Sequence, residues 1–313
     1  MKILFYMPHA DAAAWLHDFA RALPVAELRE WQAGDTAPAD FAVVWRPPRE
    51  MLAGRDDLRA IFNLGAGVDA ILALERGQPG TLPRNAKLVR LEDTGMAPQM
   101  AEYVTHAVLR YMRRFDEYQT LQTGRRWQGL DAHPRETFTV GVLGLGVLGA
   151  HVAQTVASFG MPVRGYSRSA RQIDGVTTFA GEAQFDAFLD GVKVLVNLLP
   201  HTPDTGDVLN ASTFSKLARG AYLINVARGG HLVEQDLLDA LASGQIAAAT
   251  LDVFRDEPLP PDHPFWREPR MTITPHISAL TLREESVAQV AQKINALLRG
   301  ETVGGVVDID RGY

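Results

Sequence analysis

The chain has 313 residues, enough for a large core and for two domains. Its 46% hydrophobic and 22% charged residues are those of an ordinary globular protein, and a net charge of -6 argues against a nucleic-acid surface. There is no cysteine, which excludes disulfides, thiolate catalysis and cysteine-held metals.

Short β-type runs alternate with helical patterns along the chain, which predicts parallel α/β architecture. Lys2 to Met7 reads as a buried strand. Its apolar run, interrupted by Pro8, His9 and Asp11, is too short for a signal-peptide core. Asp11 to Leu23 predicts an amphipathic helix, and Phe41 to Trp45 a strand closed by Pro47 and Pro48. Ile61 to Leu64 is a third strand, running into Gly65-Ala66-Gly67 and a helix from Val68; Lys87 to Leu91 is a fourth. One long helix is expected over Met96 to Gln122, as the connector to a second domain, followed by a polar loop, Gly124 to Pro134, around Trp127. Strands are then predicted at Phe138–Leu143, Val163–Tyr166, Val192–Leu199, Ala221–Val226, Ala247–Val253 and Met271–Thr274, with helical patterns between them. A last helix covers about Glu284 to Leu298. No stretch approaches a membrane span, and the expectation is a cytoplasmic protein with no membrane, nucleic-acid or metal partner.

The second α/β unit opens on a glycine loop, Gly144-Leu145-Gly146-Val147-Leu148-Gly149. It follows a β-run and leads into a helix. The first glycine permits a tight turn, the second lets backbone approach a pyrophosphate, and the third lets helix and strand pack closely. The other reading is an ordinary strand–helix turn. About 20 residues on, an NAD enzyme usually carries an acid for the ribose 2′-hydroxyl. This chain has Tyr166-Ser167-Arg168-Ser169-Ala170-Arg171 there. A serine and two arginines, Ser167, Arg168 and Arg171, suit a 2′-phosphate, so NADPH is expected over NADH, with NADH possible. The plainer alternative is a solvated arginine face.

Three polar residues stand at the ends of later strands: Arg228 in Asn225-Val-Ala-Arg-Gly, Glu257 in Asp252-Val-Phe-Arg-Asp-Glu-Pro, and His276 in Thr274-Pro-His. Reducing a 2-keto acid requires the carboxylate to be held, the carbonyl polarised and a proton delivered. An arginine fork serves the first two. An imidazole serves the third, and a glutamate can orient it and stabilise its charged form. Taken singly, each has a bland reading: a surface arginine, a turn acid, a core histidine. Together at the carboxyl ends of successive strands, behind a dinucleotide loop, they point to a site.

These segments resemble the D-isomer-specific 2-hydroxyacid dehydrogenase family over essentially the whole chain. Asn63-Leu-Gly-Ala-Gly-Val-Asp69, Leu91-Glu-Asp-Thr-Gly-Met96, Arg113-Arg-Phe-Asp116 and the closing Arg311-Gly-Tyr313 resemble its glyoxylate/hydroxypyruvate reductase A branch, which prefers NADPH. The resemblance implies two Rossmann-like parallel-sheet α/β domains, one flavodoxin-like and one dinucleotide-binding, with the active site in the cleft between them. The first, substrate-binding domain would be discontinuous, 1–98 plus 286–313, and the dinucleotide-binding domain would cover 99–285. Leu199-Pro200-His-Thr-Pro-Asp-Thr205 resembles the family's loop over the cofactor, and Val226, Ala227, Arg228, Asp252 and His276 are implied beside it. Leu64, Gly65, Ala66 and Gly67 would offer N–H groups to the substrate carboxylate. Trp45 would wall the pocket or lie in the core. A homodimer is implied as well. Two other functions remain open at this point: the same chemistry on a bulkier 2-keto acid with NAD, and a dinucleotide-sensing binding protein such as the corepressors related to this family.

Overall fold

The protein is described from a computed structural model, which describes residues 1–8 and 11–312; His9 of the opening run and Tyr313 of the closing Arg-Gly-Tyr lie outside the described residues. The chain divides into two compact units, Met1–Gly95 with Thr281–Tyr313, and Met96–Leu280. These borders stand a few residues before the expected breaks after 98 and before 286. The helix that starts at Met96 therefore belongs whole to the second unit. Thr281 belongs to the first, where its hydroxyl donates to the Leu64 carbonyl at 3.4 Å.

The first unit begins with β1 (Lys2–Tyr6), α1 (Ala12–Ala22), β2 (Glu27–Glu30) and β3 (Phe41–Val44). It continues with α2 (Arg49–Leu52), β4 (Ala60–Asn63), α3 (Asp69–Gly77) and β5 (Lys87–Arg90). Asp11 caps α1 by accepting from the Ala14 amide at 3.2 Å, and the helix buries Trp15 and Phe19 against Phe5. Among the described residues the strands form one parallel sheet in the order β2-β1-β3-β4-β5.

The second unit opens on α4 (Met96–Met112) and α5 (Phe115–Thr123), followed by β6 (Val140–Leu143), α6 (Val147–Ala157), β7 (Val163–Ser167), β8 (Thr177–Ala180) and α7 (Phe185–Leu189). It continues with β9 (Val194–Asn197), α8 (Ala211–Lys216), β10 (Ala221–Asn225), α9 (Glu234–Ser243), β11 (Ile246–Leu251) and β12 (Met271–Ile273). The sheet order is β12-β11-β10-β9-β6-β7-β8, again all parallel. Strands buried on both faces explain the near-continuous apolar runs of β6, β9 and β10. Chain order reverses between β6 and β9, and in open α/β sheets such a switch point is where ligands bind. The last helix, α10 (Arg283–Leu298), packs beside α1 in the first unit, with Arg283 paired to Asp18 at 2.8 Å.

Two departures from the sequence reading have physical causes. The single helix expected over Met96 to Gln122 is broken at Arg114, which takes a left-handed conformation (φ 61°, ψ 32°). Its guanidinium binds the Glu117 carboxylate and the Asp131 carbonyl, both at 2.6–2.7 Å, and that holds the bend. Two strands were not expected, β2 and β8. Both are edge strands with half-exposed or exposed side chains, so neither carries the apolar run that marks a central strand. No described helix is long and apolar enough to cross a membrane.

Candidate active site

Every functional segment singled out in the second unit lies just past the carboxyl end of a strand. The glycine loop follows β6, Arg168 follows β7, Leu199 follows β9, Arg228 follows β10, Asp252 follows β11 and His276 follows β12. A parallel sheet places all these ends on one edge.

The three glycines of the loop are required for different reasons. Gly144 has φ +96°, and a β-carbon there would stand 2.7 Å from the Leu198 carbonyl oxygen. A β-carbon on Gly149 would fall 1.8 Å from the Gly144 oxygen, so this glycine permits the approach of α6 to β6. Gly146 differs: its φ is -68°, and nothing lies within 4 Å of the place a β-carbon would take. Neither strain nor internal packing calls for glycine there, whereas a pyrophosphate laid on the backbone does. Gly146 also forms the N-cap of α6 with no side-chain cap, so the first N–H groups of that helix keep their donor capacity for an anion. These residues fit a dinucleotide. Leu145 is 1% exposed and packs over Gly165, so its role is to brace the loop. Val147 and Leu148 form the first turn of α6, the former half exposed.

At the end of β7, Arg168 and Arg171 are exposed. Ser167 is 9% exposed and donates its hydroxyl to the Ser169 carbonyl at 2.8 Å. Its proton is committed within the turn, so the residue shapes the presentation of Arg168.

His276 Nδ1 donates to Glu257 Oε2 at 2.9 Å, and Glu257 Oε1 accepts from the Phe254 amide at 3.1 Å. The imidazole is therefore oriented, its Nε2 directed away from the carboxylate. His276 has φ +55°, a conformation a non-glycine residue holds only when its surroundings impose it. Asp252, fully buried, imposes it. Its carboxylate accepts from the Thr274 hydroxyl (2.6 Å) and from the Ile277 and Ser278 amides (both 2.8 Å), and its carbonyl from the His276 amide (2.8 Å). Thr274 Oγ1 in turn receives the phenol of Tyr103 from α4. Burial pushes that phenol up to about 12, so it remains a donor across the working range.

Arg228 is half-buried, and its guanidinium donates to the Ala227 carbonyl at 2.6 Å. Gly229 explains how this turn meets the Glu257 loop. A β-carbon there would stand 1.8 Å from the Phe254 carbonyl carbon, so the two backbones touch directly. Val226 and Ala227 are 4% and 6% exposed, so both are buried within the turn. The 199–205 loop is closed by Thr205, whose hydroxyl accepts from the Thr202 amide (2.8 Å) and donates to the Pro200 carbonyl (2.7 Å).

Beneath these segments lies a buried polar cluster that the sequence reading did not single out. Asn197, Asn225 and His231 are each 0% exposed and hydrogen-bonded to one another in series. The signal was available for the two asparagines: each is the polar last residue of an otherwise apolar strand. Tyr103 and His231 gave none, because a lone Tyr or His on a helix or turn is ordinarily packing.

In the first unit, the Gly65-Ala66-Gly67 turn has its carbonyls engaged from within. Asn63 Nδ2 donates to Gly65 O (3.0 Å) and Gly67 O (2.8 Å), the Leu91 amide to Gly65 O (3.1 Å) and Arg90 to Ala66 O (3.4 Å). Carbonyls held inward leave the turn's N–H groups for an anion, the arrangement of a backbone nest. Leu64 is fully buried beneath it. Trp45 lies across the turn, its ring 2.4 Å from where a Gly65 β-carbon would stand, and Arg46 stacks on that ring at 5.7 Å.

Comparison with known proteins places this geometry in context. Residues 105–278 match the model for the D-isomer specific 2-hydroxyacid dehydrogenase NAD binding domain. The glyoxylate/hydroxypyruvate reductase A of Serratia proteamaculans is 59% identical over 313 residues, all of both chains, and that of Yersinia enterocolitica 56% over the same span. A D-isomer specific 2-hydroxyacid dehydrogenase from Xanthobacter autotrophicus, solved with NADPH and MES, superposes with a TM-score of 0.93 at 37% identity, covering 100% of this chain and 99% of that one. The NADPH-dependent glyoxylate/hydroxypyruvate reductase of Sinorhizobium meliloti, solved with NADP and sulfate, gives 0.91 at 36% with the same coverage.

Proposed function

The chain belongs to the D-isomer-specific 2-hydroxyacid dehydrogenase family, and from that premise we propose that it reduces small 2-keto acids, glyoxylate and hydroxypyruvate, with NADPH. The observation that carries the chemistry is the 2.9 Å contact of His276 with Glu257, on a loop whose backbone touches the Arg228 turn.

Bound NADPH would supply the hydride to the keto carbon. Arg228 binds the substrate carboxylate and polarises the carbonyl, since its charge persists at any working pH and its fork reaches two oxygens. His276, protonated at both nitrogens, gives its Nε2 proton to the new alkoxide, and Glu257 stabilises that imidazolium and holds its angle. With 38% of its side chain exposed, the imidazole regains a proton from solvent. The amides of Gly146 to Gly149 take the pyrophosphate, and Arg168 with Arg171 takes the 2′-phosphate. In the first unit, the N–H groups of the Gly65–Gly67 turn suit a carboxylate, with Trp45 as a wall beside them.

The reading includes a cytoplasmic location and a homodimer. Trp127, fully exposed, and Phe115, 55% exposed, supply apolar surface for a second copy, which light scattering would detect. The central test is loss of NADPH absorbance with glyoxylate or hydroxypyruvate, run beside NADH. His276→Ala should lose most of the rate yet still bind NADPH. An active variant would remove His276 from its assigned role, and no turnover in the wild type would overturn the reductase reading.

A further inference from the structure

We propose that His231 is a positioning residue that ties the 199–205 loop to the Arg228 turn through Asn197, so that one buried imidazole sets the binding of both cofactor and keto acid. The inference rests on the reductase reading and adds a residue to it.

The hydrogen bonds fix every donor in the cluster. The Ala227 amide donates to Asn225 Oδ1 at 3.3 Å, and Asn225 Nδ2 donates to the Arg228 carbonyl at 3.1 Å, so the orientation of the Asn225 amide is set. Asn197 Nδ2 must therefore donate to Asn225 Oδ1 (3.0 Å), and Asn197 Oδ1 accepts from the Leu199 amide (3.2 Å). The second hydrogen of Asn197 Nδ2 meets His231 Nδ1 at 2.9 Å, so Nδ1 accepts. The proton of the neutral ring is left on Nε2, which donates to the Pro200 carbonyl at 3.3 Å. A proton on Nδ1 would face an N–H of Asn197.

His231 thus has two arms. Nδ1 leads to Asn197, which holds the Leu199 amide at the start of the loop, and on through Asn225 to the backbone on both sides of Ala227, and so to Arg228. Nε2 leads to Pro200 in the loop closed by Thr205. Neither arm ends in apolar core; each ends on a carbonyl or amide of a segment assigned to substrate or cofactor. Backbone bonds also run from this turn to the chain beyond the loop, from Asp207 N to Gly230 O and from Leu209 N to His231 O. The His231 ring lies 5.2 Å from that of His201, which fills the space a Gly230 side chain would need.

The arms can be cut separately, because Asn places an amide atom where Nδ1 stands and Gln reaches to the position of Nε2. Fluorescence titration of NADPH reads the Pro200 arm without turnover, and KM for glyoxylate reads the Arg228 arm. His231→Phe, which cuts both, should weaken NADPH binding and raise the glyoxylate KM about tenfold each, the effect of one lost buried hydrogen bond. His231→Asn should keep the glyoxylate KM near wild type while NADPH binding stays weakened. His231→Gln should raise the glyoxylate KM while weakening NADPH binding less than His231→Asn does, since it keeps the Pro200 contact and only loosens the hold of Asn197 on Leu199. A crossover of this kind is not produced by general destabilisation, and the Asn and Gln pair decides the matter even if the Phe variant does not fold. Equal factors in both readouts for both variants, or no change in either, would overturn the proposal. Should the wild type bind NADPH without reducing glyoxylate, the reductase reading fails; the binding titrations of the Asn and Gln variants still decide the Pro200 arm.

Discussion

Gly229→Ala tests whether the Arg228 turn and the Glu257 loop form one rigid piece. The new β-carbon would stand 1.8 Å from the Phe254 carbonyl carbon, 2.1 Å from its oxygen and 2.3 Å from the Arg255 nitrogen. All three are backbone atoms, so no side chain can swing aside. Ordinary contact begins at 3.4 Å, and opening 1.8 Å to that distance parts the two segments by roughly 1.6 Å. A misplacement of about 1 Å is worth around 100-fold in rate where groups must act together, or ~2.7 kcal/mol. We expect kcat/KM for glyoxylate to fall at least that far. The overpacking itself should lower stability by about 1–3 kcal/mol. The glycine loop lies past β6 and Arg168 past β7, both removed from the strained contact, so NADPH affinity by fluorescence titration should fall by much less than kcat/KM. Steady-state kinetics, the titration and thermal unfolding together make the case. A folded variant retaining kcat/KM within threefold of wild type would show that the contact does not register Arg228 against His276.

Asp252→Asn replaces one acceptor oxygen with an amide group that faces a buried backbone N–H from Ile277 or Ser278. Denaturant unfolding should show a loss of about 1–3 kcal/mol, and kcat should fall as His276 leaves its φ of +55°; unchanged stability would refute the assignment. Arg168→Ala should weaken NADPH binding about tenfold to a hundredfold while leaving NADH untouched, since only the former carries the 2′-phosphate; equal losses would dismiss that role. Burial pushes Tyr103 and Tyr222 up to about 12, and Tyr111 is also raised, each from a value near 10. Their neutral forms therefore favour the fold below pH 10, and that stability is lost as pH climbs through 12. Denaturant midpoints followed across that range should decline, less steeply in Tyr103→Phe than in wild type, and identical slopes would contradict the burial effect.

Much of this protein is legible along the chain. The alternation of apolar runs with helical periods is local, and in a parallel sheet buried on both faces it is strong; hence the central strands and the glycine loop stand out. Gly144-Leu-Gly-Val-Leu-Gly149 and Ser167-Arg168 are short segments whose chemistry rests on adjacent residues. The two edge strands escaped because Glu27–Glu30 and Thr177–Ala180 bury little, and burial is what writes a strand into sequence. The bend at Arg114 escaped because one of its two stabilising partners, the Asp131 carbonyl, is 17 residues away, and the other, Glu117, stands at the i+3 spacing that a continuous helix would also pair. The same distinction runs through the site. That Arg228, Glu257 and His276 sit at strand ends can be read from the pattern. That His276 is held by Asp252 and Glu257, 24 and 19 residues before it, and that Gly229 lies against Phe254, was decided by the tertiary structure alone. Strand order puts those ends on one edge, and a hydrogen bond acts only over the few ångströms that order creates. His231 is the extreme case: nothing around it in sequence marks it, and its meaning lies in a buried asparagine 34 residues earlier in the chain.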